Sequence, residues 1–112
     1  MIKSIVVAKR KEGMSRAEFY KYWEGTHGPM AAQHMPGVRR YVQNHLVEVP
    51  GMEFETDGVV EMWYDDVQAY LKAMDYLTSK EGRFLAEDGK KFADLNPSQM
   101  WIVEEHVIKD FE

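Results

Sequence analysis

Residues 2–10 run β-branched and almost continuously apolar from Ile2 through Val6, Val7 and Ala8, with charge only at Lys3 and at the closing Lys9 and Arg10. Such a strand has little polar face to offer water, so it belongs in the middle of a sheet with cover on both sides. The chain has 112 residues, enough for one modest core and too few for two ordinary domains. The cover must therefore come from this one domain or from a second molecule.

Glu12-Gly13 ends that strand. Ser15 with Glu18 three positions on makes a capping box, and Phe19, Tyr22, Trp23, Thr26, His27 and Met30 recur at helical spacing, which predicts a helix from about Arg16. Gly25, Gly28 and Pro29 are expected to interrupt it, with a short continuation from Pro29 to His34 before Pro36-Gly37 closes the segment. Residues 38–48 and 58–64 read as a second and third strand, joined by a long polar loop carrying Pro50-Gly51 and Asp57-Gly58. Asp66 is a good N-cap for Val67, Tyr70, Leu71, Met74 and Leu77, and Ser79 is the expected cap of a further short helix through Phe84, Leu85 and Asp88 toward Phe92. Leu95-Asn96-Pro97 should break that run, leaving residues 99–108 as the last strand.

The order βαββαβ predicts an α+β chain of the ferredoxin-like kind, a four-stranded antiparallel sheet with helices on one face. The other face is the difficulty. Val60 and Met62 alternate with Val59 and Trp63, and Met100 and Ile102 alternate with Trp101, Val103 and Val107, so both faces are apolar and two helices can cover only one. A bare face carrying Trp63 or Trp101 exceeds what a monomer usually tolerates, and a second subunit's sheet is the economical cover. The expectation is a homodimer whose two sheets close around an apolar pocket; its rival is a monomer with half-exposed tryptophans.

Composition removes several classes of function. The chain has no cysteine, which excludes disulfides, thiolate catalysis and Cys-based metal centres. A formal charge of −5, with no aromatic on the first strand for base stacking, speaks against nucleic acid. The N-terminus lacks a signal-peptide pattern and no apolar run approaches the roughly 20 residues of a membrane span, so the expected setting is cytoplasmic with no membrane partner. Four histidines without ligand spacing give no metal site, and the scattered glycines form no phosphate loop.

His27 stands out among the remaining polar residues. It sits four positions after Trp23 on the apolar stripe and just before Gly28-Pro29, either as a helix-end histidine or as a reactive one. The second strand projects Tyr41, Gln43 and His45 to one face and Val42, Asn44 and Leu46 to the other, while Glu61 adjoins Trp63 in an apolar run. A buried Glu61 must pair, hydrogen-bond or rise in pKa, and the alternatives are a salt bridge to Arg39 or Arg40 and a role in proton transfer with His27 or His45. Tyr41 or Asn44 could then donate to a developing enolate oxygen.

The opening strand with Ser15 to Phe19, the run Tyr22-Trp23-Glu24-Gly25-Thr26-His27-Gly28-Pro29, and Pro36-Gly37-Val38-Arg39-Arg40-Tyr41-Val42-Gln43-Asn44-His45 resemble the EthD family of dimeric α/β-barrel proteins. Glu61-Met62-Trp63-Tyr64, the Asp88 to Phe92 segment and Val103-Glu104-Glu105-His106-Val107 are similar to its later blocks. The resemblance implies a pocket between sheet and helices that needs no cofactor, and relatives that include methylmuconolactone isomerases, polyketide cyclases or dehydratases, and cofactor-independent monooxygenases. By similarity to the isomerases, His27 and Tyr41 are the pocket residues. The isomerases' strand cysteine has no counterpart, Met62 lying nearest, so a thiol mechanism is excluded.

The expected function is therefore a cofactor-free enzyme that isomerises, cyclises or dehydrates a small hydrophobic carbonyl compound, a lactone or aromatic polyketide, in a catabolic or secondary-metabolite pathway. His27 is the expected base, Tyr41 the donor to the carbonyl or enolate oxygen, and His45 or Glu61 the second acid/base. Asn44, Trp63 and Trp101 are the expected substrate contacts. Two rivals stand beside it: an accessory protein that only holds an apolar ligand, and a cofactor-independent monooxygenase.

Overall fold

Apolar residues along the first and third strands, set against amphipathic helical segments, produce the expected layering. The computed structural model describes the backbone of residues 1–112 and the side chains of all but residues 95–98. In chain order it contains β1 (Ile2–Arg10), α1 (Arg16–Tyr22), a π-helical turn (Trp23–His27), α2 (Gly28–His34), β2 (Arg40–His45), β3 (Gly58–Tyr64), α3 (Val67–Thr78), α4 (Arg83–Gly89) and β4 (Ala93–Val103). The strands form one antiparallel sheet in the order β2-β3-β1-β4, with β1 central as its composition requires. This is the ferredoxin-like arrangement.

Register sorts the two faces. Ser4, Val6 and Ala8 pair with Met62, Val60 and Gly58, and these three pair in turn with Tyr41, Gln43 and His45; all face the helices. Their neighbours Lys3, Ile5 and Val7 pair with Trp63, Glu61 and Val59, which pair with Arg40, Val42 and Asn44 on the open face. Phe19, Trp23 and Phe92 pack on Val60 and Ala8 at one end of the helix side, and Ala31, Met35, Ala73 and Leu85 gather around Tyr64 at the other. Tyr41 and Met62 touch both clusters.

Local signals are realised where capping chemistry sets them. Ser15 Oγ accepts the Glu18 N–H at 3.1 Å and Glu18 accepts the Ser15 N–H at 3.0 Å, and the Asp66 carboxylate caps α3 through Ala69 N at 2.8 Å. Four expectations are corrected. The first helix is not interrupted by its glycines: it widens into the π turn and continues as α2. Ser79 does not cap α4, whose N-cap is Gly82; its hydroxyl accepts Gly82 N–H and donates to Tyr76 O at the end of α3. β2 is shorter than residues 38–48, and β4 begins at Ala93 and stops at Val103, because Ala93 and Asp94 pair with Arg10 and Lys9 at the far end of β1. The break expected at Leu95-Asn96-Pro97 lies outside the residues whose side chains are described. Finally, Trp63 is not bare: Lys3 and Arg40 lie over its ring at 4.8 and 4.6 Å and leave it 8 % exposed, whereas Trp101 is 52 % exposed.

Candidate active site

The π turn decides where His27 points. In an unbroken α-helix the residue four after Trp23 would share its face, but the π turn holds one more residue, and Gly28 takes the position beside the sheet. Gly28 is buried against Gln43 of β2, while His27 turns toward α4, with its ring 4.9 Å from that of Phe92 and beside Gly89. The histidine therefore leaves the stripe on which its spacing placed it.

There it meets Asp88. His27 Nδ1 lies 2.9 Å from Asp88 Oδ2, the Tyr22 hydroxyl donates to Oδ1 at 2.6 Å, and Lys91 Nζ approaches Oδ1 at 3.6 Å. Asp88 is 5 % exposed. Burial alone would raise its pKa, but the bonds from Tyr22 and His27, followed by the charges of His27 and Lys91, outweigh it and hold the carboxyl below its ordinary value. An ionised carboxylate only accepts, so Nδ1 carries the ring proton and the Nε2 lone pair of neutral His27 is left over. Among the described residues no hydrogen bond reaches Nε2.

Tyr41 and His45 stand on the same side of the sheet, joined by Gln43. Gln43 Nε2 donates to Tyr41 Oη at 3.1 Å, and Gln43 Oε1 lies 2.9 Å from His45 Nε2. His45 is stacked between Tyr20 and Trp23, at 4.4 and 5.1 Å between ring centres. Burial pushes the Tyr41 phenol up, against a smaller downward pull from Gln43 and Trp23, so it is a neutral hydroxyl.

The other four candidates lie across the sheet. Glu61, Asn44, Trp63 and Trp101 all belong to the open face, so within one chain they share no site with His27, Tyr41 and His45. Glu61 binds Lys3 rather than Arg39 or Arg40, and its pKa moves down, not up: the Lys3 bond outweighs burial, with help from Asn44. Asp88, Tyr22 and Gln43 were not among the sequence candidates. Asp88 had a legible signal, since it is a carboxylate on the apolar stripe of Phe84, Leu85 and Phe92.

Two cavities lie away from His27. One of about 580 Å³ opens between Arg16 and the loop residues Val49, Pro50, Met52 and Phe54. Another of about 270 Å³ lies on the open face, lined by Val7, Lys9, Thr56, Asp94 and Gln99. Beside His27 the space between helices and sheet is filled by Phe19, Trp23 and Phe92. Among the described residues no three potential ligands cluster as a metal site, and no helix is long and apolar enough to cross a membrane.

The EthD domain model matches residues 11–96, more than three-quarters of the length. The chain belongs to the EthD family. Solved structures agree with its fold. An EthD family protein from Bacillus halodurans C-125 is 24 % identical, with a TM-score of 0.65 over 95 % of this chain and 100 % of that one. The cofactor-independent oxygenase SnoaB from Streptomyces nogalater is 14 % identical, with a TM-score of 0.63 over 97 % of both chains. A dimeric protein of unknown function and ferredoxin-like fold from Bacteroides fragilis is 12 % identical, with a TM-score of 0.56 over 91 % of both. No curated protein matches this EthD chain significantly.

Proposed function

We propose that this EthD protein is a homodimeric, cofactor-free enzyme in which His27 removes and returns a proton on a small hydrophobic carbonyl compound. The observation that carries this reading is the buried Asp88 carboxylate bonded to His27 Nδ1 and braced by Tyr22. A carboxylate on Nδ1 selects the tautomer with a free Nε2 and stabilises the imidazolium that forms when that nitrogen takes a proton.

The chemistry is conservative in atoms. Nε2 takes a proton from carbon next to the substrate carbonyl, the C–H electron pair becomes the enolate, and the imidazolium returns the proton at another carbon or to a departing oxygen. Tyr41 donates its hydroxyl proton to the enolate oxygen, since its own oxygen already accepts from Gln43. His45 holds Gln43 rather than acting as the second acid. Asn44, Glu61, Trp63 and Trp101 belong to the surface where the second subunit sits.

Incubation with a panel of lactones and aromatic polyketides in deuterated water reads the proton transfer directly, through deuterium appearing next to the carbonyl. His27→Ala should lower that exchange about a hundredfold or more while leaving the assembly intact, and unchanged exchange sinks the reading. The likeness to SnoaB supports a second outcome, in which the deprotonated substrate is attacked by dioxygen; exchange without oxygen but product only with it would mark that case.

A further inference from the structure

Gln43 reaches further than a strand residue needs to. Its Nε2 donates both to Tyr41 Oη and, at 2.9 Å, to the main-chain oxygen of Trp23. The Trp23 carbonyl can only accept, so the amino end of the amide faces the helix and Oε1 faces His45 Nε2, which must carry a proton. The same carbonyl accepts the Gly28 N–H five residues on, the bond that makes this turn π instead of α. A Cβ on Gly28 would fall 2.5 Å from Gln43 Nε2 and 2.8 Å from Trp23 O. Glycine at 28 is therefore what lets an amide from the sheet lie against the helix backbone.

We propose that Gln43 is a positioning residue for His27: its amide, wedged against the Trp23 carbonyl, holds open the π turn that swings the imidazole from the sheet-facing stripe to Asp88. An α turn would give the Trp23 carbonyl to the His27 N–H and return the ring to the face of Trp23. A π turn is the rarer and less favourable state, and a second donor on its first carbonyl offsets that disadvantage. The stacked His45, by fixing Oε1, keeps the amide from flipping. The catalytic consequence rests on the role proposed for His27, but the geometric claim does not.

The test is made on the substrate-free protein by nitrogen and proton NMR of His27 and Gly28. Gln43→Met fills the same space without donors, and Gln43→Glu keeps the acceptor toward His45 while turning an oxygen on the Trp23 carbonyl. In both, the Gly28 amide should exchange about tenfold faster or more, and His27 should lose its single Nδ1–H tautomer signature. With a competent substrate, kcat should fall about tenfold or more with KM changed less than about threefold. Should Gln43→Met fail to fold, Gln43→Glu carries the same readouts. Unaltered His27 and Gly28 signals in any folded variant overturn the proposal. A wrong assignment of the base shows differently, as His27→Ala with full turnover while the Gln43 variants still disturb the ring.

Discussion

Lys3 grips Glu61 at 2.6 Å on the face of the sheet that the helices leave open, and its ammonium also binds Glu105 at 2.7 Å. The bonds to Glu105 and Glu61 raise Lys3 against a smaller effect of burial, and the Lys3 bond lowers Glu61, so both are charged at neutral pH. A carboxylate engaged in this way, behind the sheet from His27, is a structural ion.

Glu61→Ala should leave Lys3 with one exposed partner and lower stability by about 1–3 kcal/mol in urea titration, with turnover changed less than about threefold. Replacing both partners, Lys3→Met with Glu61→Leu, should recover most of the loss. A turnover defect as large as that of His27→Ala would return Glu61 to the reaction.

Asp57 carries a stability prediction with a sign. It is 2 % exposed and accepts from Arg10 N at 2.8 Å, Arg10 Nη1 at 2.7 Å and Arg16 Nε at 2.8 Å. Burial would raise its pKa, but the Arg10 backbone and Arg16 bonds and both guanidinium charges bring it below the ordinary value. A depressed carboxyl contributes stability that is complete above its unfolded pKa, about 3.9, and is lost as pH falls through the lower folded value. Asp57→Asn should therefore be destabilised by about 2–4 kcal/mol at pH 7, with a shallower loss of melting temperature than wild type below pH 5, so that the two curves converge in acid. Parallel curves would contradict it.

What the sequence made legible was local. Ser15 with Glu18 and Asp66 announce their helices because the capping partner is three residues away, and the alternation of β3 states its two faces within seven residues. The π turn was hidden because its second donor, Gln43, comes from another element, so the glycines at 25 and 28 looked like breaks. The partners of Glu61 were hidden by distance, Lys3 lying 58 residues away. His27 and Tyr41 were visible as residue types; that Asp88 and not Glu61 serves His27 depended on how α4 packs against the turn.

Gly58 predicts an intolerance that strand propensity would miss. A Cβ there would come within 2.6 Å of Trp23 Cζ3 and 2.9 Å of Asn44 O, so the indole rests directly on the β3 backbone. Gly58→Ala would improve most strands, yet here it should lower stability by about 1–3 kcal/mol, by pushing Trp23 out of the Phe19 and His45 stack. Thermal melts with tryptophan fluorescence read both effects; a stabilised variant would mean the indole has room.

Trp101 tests the dimer. It pairs with Ile5 on the open face, where Val7, Val42, Val59 and Val103 are also only partly buried, so this side of the sheet is apolar around the Lys3 and Glu61 pair. A cover over such a face gains roughly 25 cal/mol per Å² of apolar surface, set against several kcal/mol of lost freedom on association. A lysine ammonium placed in that apolar surface would have to be desolvated when the two faces meet. Trp101→Lys should therefore sediment as a single chain at micromolar concentration where the parent sediments as two, while His27 keeps its Asp88 bond because the sheet stands between them. A parent that is already monomeric, with Trp101 quenched freely by acrylamide, would leave the open face without its proposed cover.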